Sequence, residues 1–413
     1  MNLFYLEHKE TIHNFIWRSL QVFGKQGITF LIFILCAKLL SPYEFGIYNY
    51  ALAIIFFLII FGDFGISTAT SKYVAEYNVT DKNKLKSVLF NSGIVILVLT
   101  LIITLLTILI CPLYLKDKYI YVLYLLPLIF LAPMTSLYDG IYRGLKRFKQ
   151  LAVISLIIGI ISIPMVYFLI KSYGLIGALI SQSIFYFVLL IGLGLGYMEF
   201  SFKLNKSVMK EIGKYSSILG VENLGMLLQT RIDVLVLGAF GYFLEISYYE
   251  VSNKIFLVMS IPFLIFSQII APNIVVDFSK SDNKLIKEKI KIYLLTSLIL
   301  GLILAIITYF AMKMIIPIYL SDYNNPIFYI YLIIFLIIFP IRVAGTILVN
   351  SFMVMTGHAK FLAYNNLIFG IINLLTDIAF VLLFGAIGIL YSTLIISYIS
   401  GLIIYLWYNK KIN

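Results

Sequence analysis

The sequence predicts an all-α polytopic membrane protein: twelve transmembrane helices in two six-helix bundles, related by a pseudo-twofold axis along the membrane normal. Three observations predict it. With 62% hydrophobic and 12% charged residues over 413 positions, the chain is far too apolar for a soluble domain, which carries about 25% charge. Its apolar residues gather into runs long enough to cross a bilayer as helices, at about 20 residues each. Landmarks of the first half return, in order, in the second.

The runs fall at roughly 15–40, 45–69, 88–111, 120–142, 151–170, 175–198, 214–238, 246–276, 292–315, 327–355, 363–384 and 388–408. The links are too short to hold a separate soluble domain. The first 14 residues carry Glu7, His8, Lys9, Glu10 and His13, so no removable signal peptide is expected. The stretch from Ser41 to Tyr77 organises the first half. A Ser-Pro turn opens it, an apolar run from Ala51 to Phe61 follows, and Gly62-Asp63-Phe64-Gly65 closes that run. Asp63 between its two glycines reads as a cap or turn residue.

Basic residues alternate between links. One set holds Lys72, Lys82, Lys84, Lys86, Arg143, Lys146, Arg147, Lys149, Lys203, Lys206, Lys210, Lys214, Lys280, Lys284, Lys287, Lys289, Lys291, Lys360, Lys410 and Lys411. The other holds little beyond Lys116, Lys118, Lys171 and Lys313. This asymmetry places both termini in the cytoplasm and the chain in the cell (inner, cytoplasmic) membrane. Proximity to anionic headgroups accounts for the net charge of +12, so no nucleic-acid partner is implied.

The repeat sets the halves at residues 1–200 and 201–413. Glu44-Phe45-Gly46-Ile47-Tyr48 returns as Glu245-Ile246-Ser247-Tyr248-Tyr249, 201 positions on. Gly144-Leu145-Lys146-Arg147-Phe148 returns as Gly357-His358-Ala359-Lys360-Phe361 at 213, and Tyr173-Gly174-Leu175-Ile176-Gly177 as Phe384-Gly385-Ala386-Ile387-Gly388 at 211. Six spans per copy keep the copies in one orientation, an arrangement typical of transporters with a cavity between halves.

Ionisable residues inside spans are costly in hydrocarbon and mark function or a partner. Arg18 and Lys25 lie two turns apart on one face of the first span, with Gln21 between them. They read as a basic stripe on the cavity, and Arg18 alternatively as snorkelling to headgroups. In the seventh span Glu222, Gln229 and Asp233 share a face, and Arg231 points elsewhere, toward a substrate or an interhelical salt bridge. Arg342, mid-span after Pro340, reads as a cavity cation. Glu250/Lys254 and Asp139/Arg143 have the spacing of ordinary helix pairs. Asn366, Asn373 and Asp377 form a polar stripe on span eleven, where Asp377 would bind H⁺ or Na⁺ or be satisfied by its neighbours. Glu222 is the second candidate for ion coupling. Gly192, Gly194 and Gly196 suit close helix contact.

Other chemistry is missing. No phosphate-binding loop of the G-x-x-x-x-G-K-S/T type occurs. His8, His13 and His358 are scattered, and Cys36 and Cys111 form neither a metal site nor a disulfide framework. No metal site, no cofactor beyond a coupling H⁺ or Na⁺, and no enzymatic activity are expected.

The stretches LLSPYEFGIYNYALAI, FGDFGISTATSKYVAEY, IYRGLKRFK, QTRIDVLVLG and FGAIGILYSTLI, in that order, resemble the polysaccharide-transport (oligosaccharide flippase) family of the multidrug/oligosaccharidyl-lipid/polysaccharide exporter superfamily. The resemblance implies two six-helix bundles around a cavity. It implies flipping of polyprenyl-diphosphate-linked oligosaccharide, a surface-polysaccharide repeat unit, from the cytoplasmic to the outer leaflet. Cavity cations would meet the diphosphate, and Arg18, Lys25 and Arg231 fit that role. Partners would be the lipid-linked substrate, membrane lipids and other surface-polysaccharide assembly proteins. The alternatives are a drug/cation antiporter of the same superfamily, a flippase for the peptidoglycan precursor, whose branch usually has two extra spans that twelve spans leave no room for, and a membrane assembly subunit that transports nothing. The basic first span argues against the antiporter.

Overall fold

The computed structural model describes residues 2–197, 201–279 and 283–411, nearly all of them helical and none in a strand. Lys280, counted among the inward basic residues, and the side chain of Lys284 lie outside the described part. The helices are α1 (Asn2–Leu39), α2 (Pro42–Asp63), α3 (Ile66–Thr80), α4 (Lys82–Leu115), α5 (Tyr119–Leu123), α6 (Pro127–Gly144) and α7 (Phe148–Gly196). They continue as α8 (Lys206–Thr230), α9 (Ile232–Ala239), α10 (Phe243–Ser279), α11 (Asn283–Tyr319), α12 (Pro326–Ile347), α13 (Ala359–Phe384) and α14 (Gly388–Lys411).

Eight helical stretches among the described residues are long and apolar enough to cross a membrane: Ile16–Leu39, Pro42–Thr80, Lys82–Leu123, Phe148–Gly196, Phe243–Phe278, Leu285–Tyr319, Pro326–Met353 and Lys360–Lys411. Two of them, of 49 and 52 residues, would be more than twice the thickness of the hydrocarbon core if straight, at 1.5 Å per residue. Both are broken at a glycine with positive φ, Gly174 at 55° and Gly385 at 67°.

Local chemistry explains where helices begin. Ser41 and Glu44 form a capping box for α2: the Glu44 carboxylate accepts from the Ser41 N–H at 3.0 Å and the Ser41 hydroxyl at 2.8 Å. Pro42 occupies the first helical position, where its missing N–H costs nothing. Asp81 caps α4 through Asn83 N and Lys84 N. Asn325 caps α12 through Phe328 N at 2.9 Å, ahead of Pro326. Asp63 accepts from the N–H and hydroxyl of Ser67 and so caps α3, across the left-handed Phe64-Gly65 step that separates α2 from α3.

The repeat is visible as geometry. Gly177 packs so close to the Leu169 carbonyl that an added Cβ would lie 2.0 Å from its oxygen; Gly388 meets the Phe380 carbonyl at the same 2.0 Å. These are equivalent positions at a spacing of 211. The turn before α7 matches the turn before α13 at the same spacing. Arg147 N donates to Tyr142 O and His358 N to Met353 O, each at 2.9 Å, around Lys146 (φ 57°) and Gly357 (φ 85°). The expected pairing of Gly144 with Gly357 is therefore corrected by two residues. Gly144 is a packing residue, where a Cβ would come within 2.6 Å of the Ser71 carbonyl oxygen.

By packing, the chain divides into two compact units, Met1–Leu40 with Tyr50–Leu224, and Ser41–Asn49 with Gly225–Asn413. In the first unit α1 packs on α7, and α6 on α3, α4 and α7. The α3–α6 contact is tight: a Cβ on Gly140 would sit 2.3 Å from the Ser67 carbonyl oxygen. Gly192 and Gly196 likewise leave no room beside Ile158 and the Tyr142 hydroxyl. Tyr142 is fully buried and donates to Leu193 O at 2.9 Å. The segment 201–205 is tied down by Asn91, which donates to Lys203 O at 3.1 Å and accepts from Asn205 N at 2.8 Å.

In the second unit α10 packs on α12, α11 on α12, α13 on α14 and α9 on α13. The first two turns of α2, as far as Asn49, belong here. Gly46 lies against the start of α10, where a Cβ would fall 1.6 Å from the Phe243 carbonyl oxygen. The end of α12 runs into a π-helical turn, Leu348–Met353, in which the Ser351 hydroxyl donates to Ser267 O at 2.8 Å.

Candidate functional site

Two polar clusters lie within the apolar helices, one in each unit. The cluster of the second unit begins at a helix break. Arg231 has φ −134° and ψ −9°, which ends α8 and starts α9. The break corrects the expected common face of Glu222, Gln229 and Asp233. Glu222 is exposed and stands in the first unit, whereas Asp233, in the first turn of α9, is buried in the second.

Facing glycines bring α13 against this segment. Gly370 lies where a Cβ would meet Leu228 Cβ at 2.8 Å and Gly225 O at 3.4 Å. The approach joins three groups. Asn373 donates its side-chain amide to Asp233 Oδ1 at 2.9 Å and to Asp377 Oδ2 at 3.2 Å. The Tyr249 hydroxyl donates to the other oxygen of Asp233. All four residues are buried. Asp377 Oδ1 has no hydrogen-bond partner, although hydroxyls stand close by: Thr376 and Ser392 bond each other at 2.8 Å.

Cations border this cluster. Arg231 donates to Glu250 at 2.8 Å, and the Glu250 side chain is only 6% exposed. Lys254 lies within electrostatic reach of Glu250 and Arg231, so the helix pair expected between Glu250 and Lys254 is shared with a stronger partner. Arg342 on α12 is exposed and lies within electrostatic reach of Asp233 and Tyr249.

The cluster of the first unit joins α1 to α6. Arg143 Nε donates to Asp139 Oδ2 at 2.6 Å, the expected helix pair. Arg18 approaches the other oxygen of the same carboxylate at 3.9 Å. Gln21 accepts from Arg18 and donates to Asp139 at 3.4 Å. The three charged side chains are 26–36% exposed. Lys25, one turn beyond Gln21, is exposed.

Of the residues singled out in the sequence, the structure thus joins Arg18 with Gln21, and Asp377 with Asn373. It places Arg231 and Arg342 near the Asp233–Asp377 cluster and leaves Lys25 and Glu222 apart from the clusters. Sequence reasoning missed Asp233 as the second carboxylate beside Asp377, and Arg143 as the partner of Arg18. The available signal was Asp233 as an acid within an apolar run, IDVLVLG, where charge is costly. Among the described residues no group of three or more His, Cys, Asp or Glu is arranged to hold a metal ion. The two buried carboxylates of Asp233 and Asp377, with one Asp377 oxygen unpartnered, suit a proton or a hard monovalent cation instead.

The chain is similar over most of its length to solved transporters. It matches the lipid II flippase MurJ in an inward closed conformation with TM-score 0.75 and 21% identity, covering 95% of this chain and 87% of that one. It matches an inward-facing multidrug resistance MATE transporter of the MOP superfamily with TM-score 0.73 and 14% identity, covering 96% and 98%. A MOP transporter from Pyrococcus furiosus, described as having a binding pocket of reverse polarity, matches with TM-score 0.60 and 14% identity over 98% and 95%. These likenesses establish the fold. A search of curated proteins finds no match. The model of one family, described as polysaccharide biosynthesis protein, matches residues 11–274. The chain is a multi-pass membrane protein with the fold of the MOP transporters, and it belongs to the polysaccharide biosynthesis protein family.

Proposed function

We propose that the protein is a flippase that carries polyprenyl-diphosphate-linked oligosaccharide from the cytoplasmic to the outer leaflet by alternating access. The observation that carries this reading is the basic node of the first unit, where Arg18 and Arg143 converge on one half-open carboxylate, in a chain of a polysaccharide biosynthesis family. A diphosphate needs fixed positive charge, and guanidinium groups meet phosphate oxygens in pairs. Likeness to a lipid II flippase supports a lipid-linked substrate. Arg18, Lys25, Arg231 and Arg342 are the proposed substrate cations, and the lipid tail stays in the bilayer.

The eight apolar stretches become twelve spans when the two broken at Gly174 and Gly385 each count twice and Pro127–Gly144 and residues 214–238 each add one. On this reading residues 1–200 and 201–413 each form a six-helix bundle. Both termini lie in the cytoplasm and the protein sits in the inner membrane, working with other surface-polysaccharide assembly proteins.

Asp233, Asn373 and Asp377 are the proposed coupling site. Two buried carboxylates bridged by one amide repel each other, and burial magnifies the repulsion. A bound H⁺ or Na⁺ would supply the missing positive charge. In the sequence Asp377 is one of two candidates for this role, with satisfaction by its neighbours as the other reading. Glu222, the other candidate, is exposed and therefore less suited to holding a desolvated cation.

The antiporter reading has one observation in its favour: the same carboxylate pair would suit an organic cation, and MATE transporters share the fold. Reconstitution distinguishes the two. Proteoliposomes would be assayed for flipping of a short polyprenyl-diphosphate glycan, with wild type, Arg18→Ala and Lys25→Ala compared. Flipping by wild type that is lost in Arg18→Ala supports the flippase. Efflux of an organic cation with no glycan movement moves the protein to the antiporter branch.

A further inference from the structure

The node of Arg18, Gln21, Asp139 and Arg143 contains a puzzle. If Arg18 and Arg143 exist to meet a phosphate, a carboxylate between them is a competitor. Three observations suggest that Asp139 is more than a structural ion pair.

The first is geometric. Asp139 is held well by only one guanidinium. Arg143 Nε donates to one oxygen at 2.6 Å, while Arg18 stands 3.9 Å from the other with Gln21 bonded to both. A matched Arg–carboxylate pair would form two parallel hydrogen bonds. Here each guanidinium has donors left over, since each carries five N–H groups. A diphosphate brings more acceptor oxygens and more negative charge than one carboxylate, and can engage both forks.

The second is access. The charged side chains of the node are 26–36% exposed. The Arg231–Glu250 pair differs: there Glu250 is 6% exposed and sealed under its partner. An anion can reach the first node without a helix being unpacked.

The third comes from the repeat. At the spacing of 211 that aligns the two turns, Asp139 and Arg143 correspond to Asn350 and Val354. The turn after Val354 keeps its backbone hydrogen bonds without either charge. That turn therefore forms without the pair. Meanwhile Gly140 and Gly144 press α6 onto the Ser67 and Ser71 carbonyls, which holds Asp139 and Arg143 at a fixed place opposite α1.

We infer that Asp139 is an internal counter-anion that keeps the place of the substrate's diphosphate, and that Arg143 is a second ligand for it beside Arg18. Without substrate, Arg18 and Arg143 face the Asp139 carboxylate, which spares the protein two unpaired cations within an apolar helix layer. With substrate, the diphosphate takes their free donors and weakens their hold on Asp139. On release, the carboxylate recaptures them, so the bound state is not so deep that it traps the carrier. This inference rests on the flippase reading, and it concerns which residues set affinity at that site.

The test is binding of a short polyprenyl diphosphate to the full-length protein in nanodiscs, by calorimetry, with the matching polyprenol as reference. Asp139→Asn is expected to bind the diphosphate about 10-fold tighter, the equivalent of about 1.4 kcal/mol, and to flip it more slowly because release is slowed. Asp139→Glu should behave as wild type and Arg143→Gln should bind about 10-fold more weakly. Affinity that is unchanged or lower in Asp139→Asn, at wild-type melting temperature, overturns the inference and leaves the flippase reading standing. If wild type does not distinguish diphosphate from alcohol, both are overturned. Should Asp139→Asn fail to fold, the double variant Asp139→Asn/Arg143→Gln removes the pair together. Tighter binding than in Arg143→Gln alone supports the inference, and equal or weaker binding overturns it.

Discussion

Asn373 donates its side-chain amide to Asp233 at 2.9 Å across 140 residues of sequence, and with its second amide hydrogen it reaches Asp377 one turn along its own helix. One neutral residue thus ties two buried acids together. If the pair takes up a cation, that cation stabilises the folded protein by mass action, by about 2.7 kcal/mol at a hundredfold excess over its dissociation constant. The melting temperature of wild type should therefore rise with Na⁺ concentration or with acidification. Asp377→Asn should abolish that rise and uncouple flipping from both ion gradients. Differential scanning fluorimetry with and without Na⁺ checks the first part; collapse of each gradient in proteoliposomes checks the second.

Arg231 and Glu250 should be tested together. Removing Arg231 alone leaves the buried Glu250 carboxylate with only Lys254 near it, at a cost of up to about 3 kcal/mol. Arg231→Ala is expected to lower stability sharply, so lost transport in that variant would say little about substrate contact. Arg231→Ala/Glu250→Gln should recover most of the stability. If the double variant melts normally yet still fails to transport, Arg231 touches substrate or gates its passage.

The close backbone contacts make unequal predictions for similar changes. Gly46→Ala and Gly388→Ala would place a methyl 1.6 Å and 2.0 Å from a carbonyl oxygen, forcing helices apart, at a cost of several kcal/mol. Gly27→Ala and Gly345→Ala have nothing within 4 Å and should be neutral or stabilising by up to about 1 kcal/mol, from helix propensity. Thermal melts of the four variants in one detergent would test the ranking. Equal melting temperatures would refute the packing described for α2 and for the turn before α14.

The acid limb of stability should depend on Glu211, which lies near the start of α8. Hydrogen bonds from Ser207, Tyr77 and Lys84 hold its carboxyl down to about 2, against an ordinary value of 4.5. The folded-state value lies below the unfolded one. The contribution is therefore complete above pH 4.5 or so and is lost as pH falls toward 2. Glu211→Gln should melt lower than wild type at pH 7 and approach it by pH 3. A constant difference between the two across that range would show that Glu211 acts through packing alone.

Much of the fold was legible because hydrocarbon imposes a simple rule. A chain in lipid must satisfy its backbone internally, so apolar runs of sufficient length become helices. Caps were partly legible for a similar local reason. The Ser41-Pro42 turn and Asp63 act over three or four residues, and their partners are close in sequence. The repeat was legible in outline, yet the turn before α13 was matched two residues out of register. Matching Gly144 to Gly357 aligns like residues, whereas the first half makes that turn with Lys146 at φ 57° and uses Gly144 for packing.

The polar clusters were legible only in their individual members. Arg18, Arg231, Arg342 and Asp377 stood out because a charge in an apolar run is costly wherever it sits. Which charges meet was another matter. Helical spacing puts Asp233 on a face with Glu222 only if the helix is continuous, and the break at Arg231 removes that condition. Asp139 and Arg143 have the spacing of an ordinary pair on one helix, and nothing in that spacing announces α1 beside them.

The helical membrane class, the long apolar stretches, the recurrence of several local landmarks and the residues too polar for their surroundings can thus be read along the chain. Each of these follows from local composition and period. Only the tertiary structure decided that Asp233, Asn373 and Asp377 form one buried group and that Arg18 shares Asp139 with Arg143. Those partnerships depend on where glycines let helices close to backbone contact, at Gly225 with Gly370 and at Gly140 with Ser67. Helix approach of that kind is a property of two surfaces at once, and no single stretch of the chain encodes it.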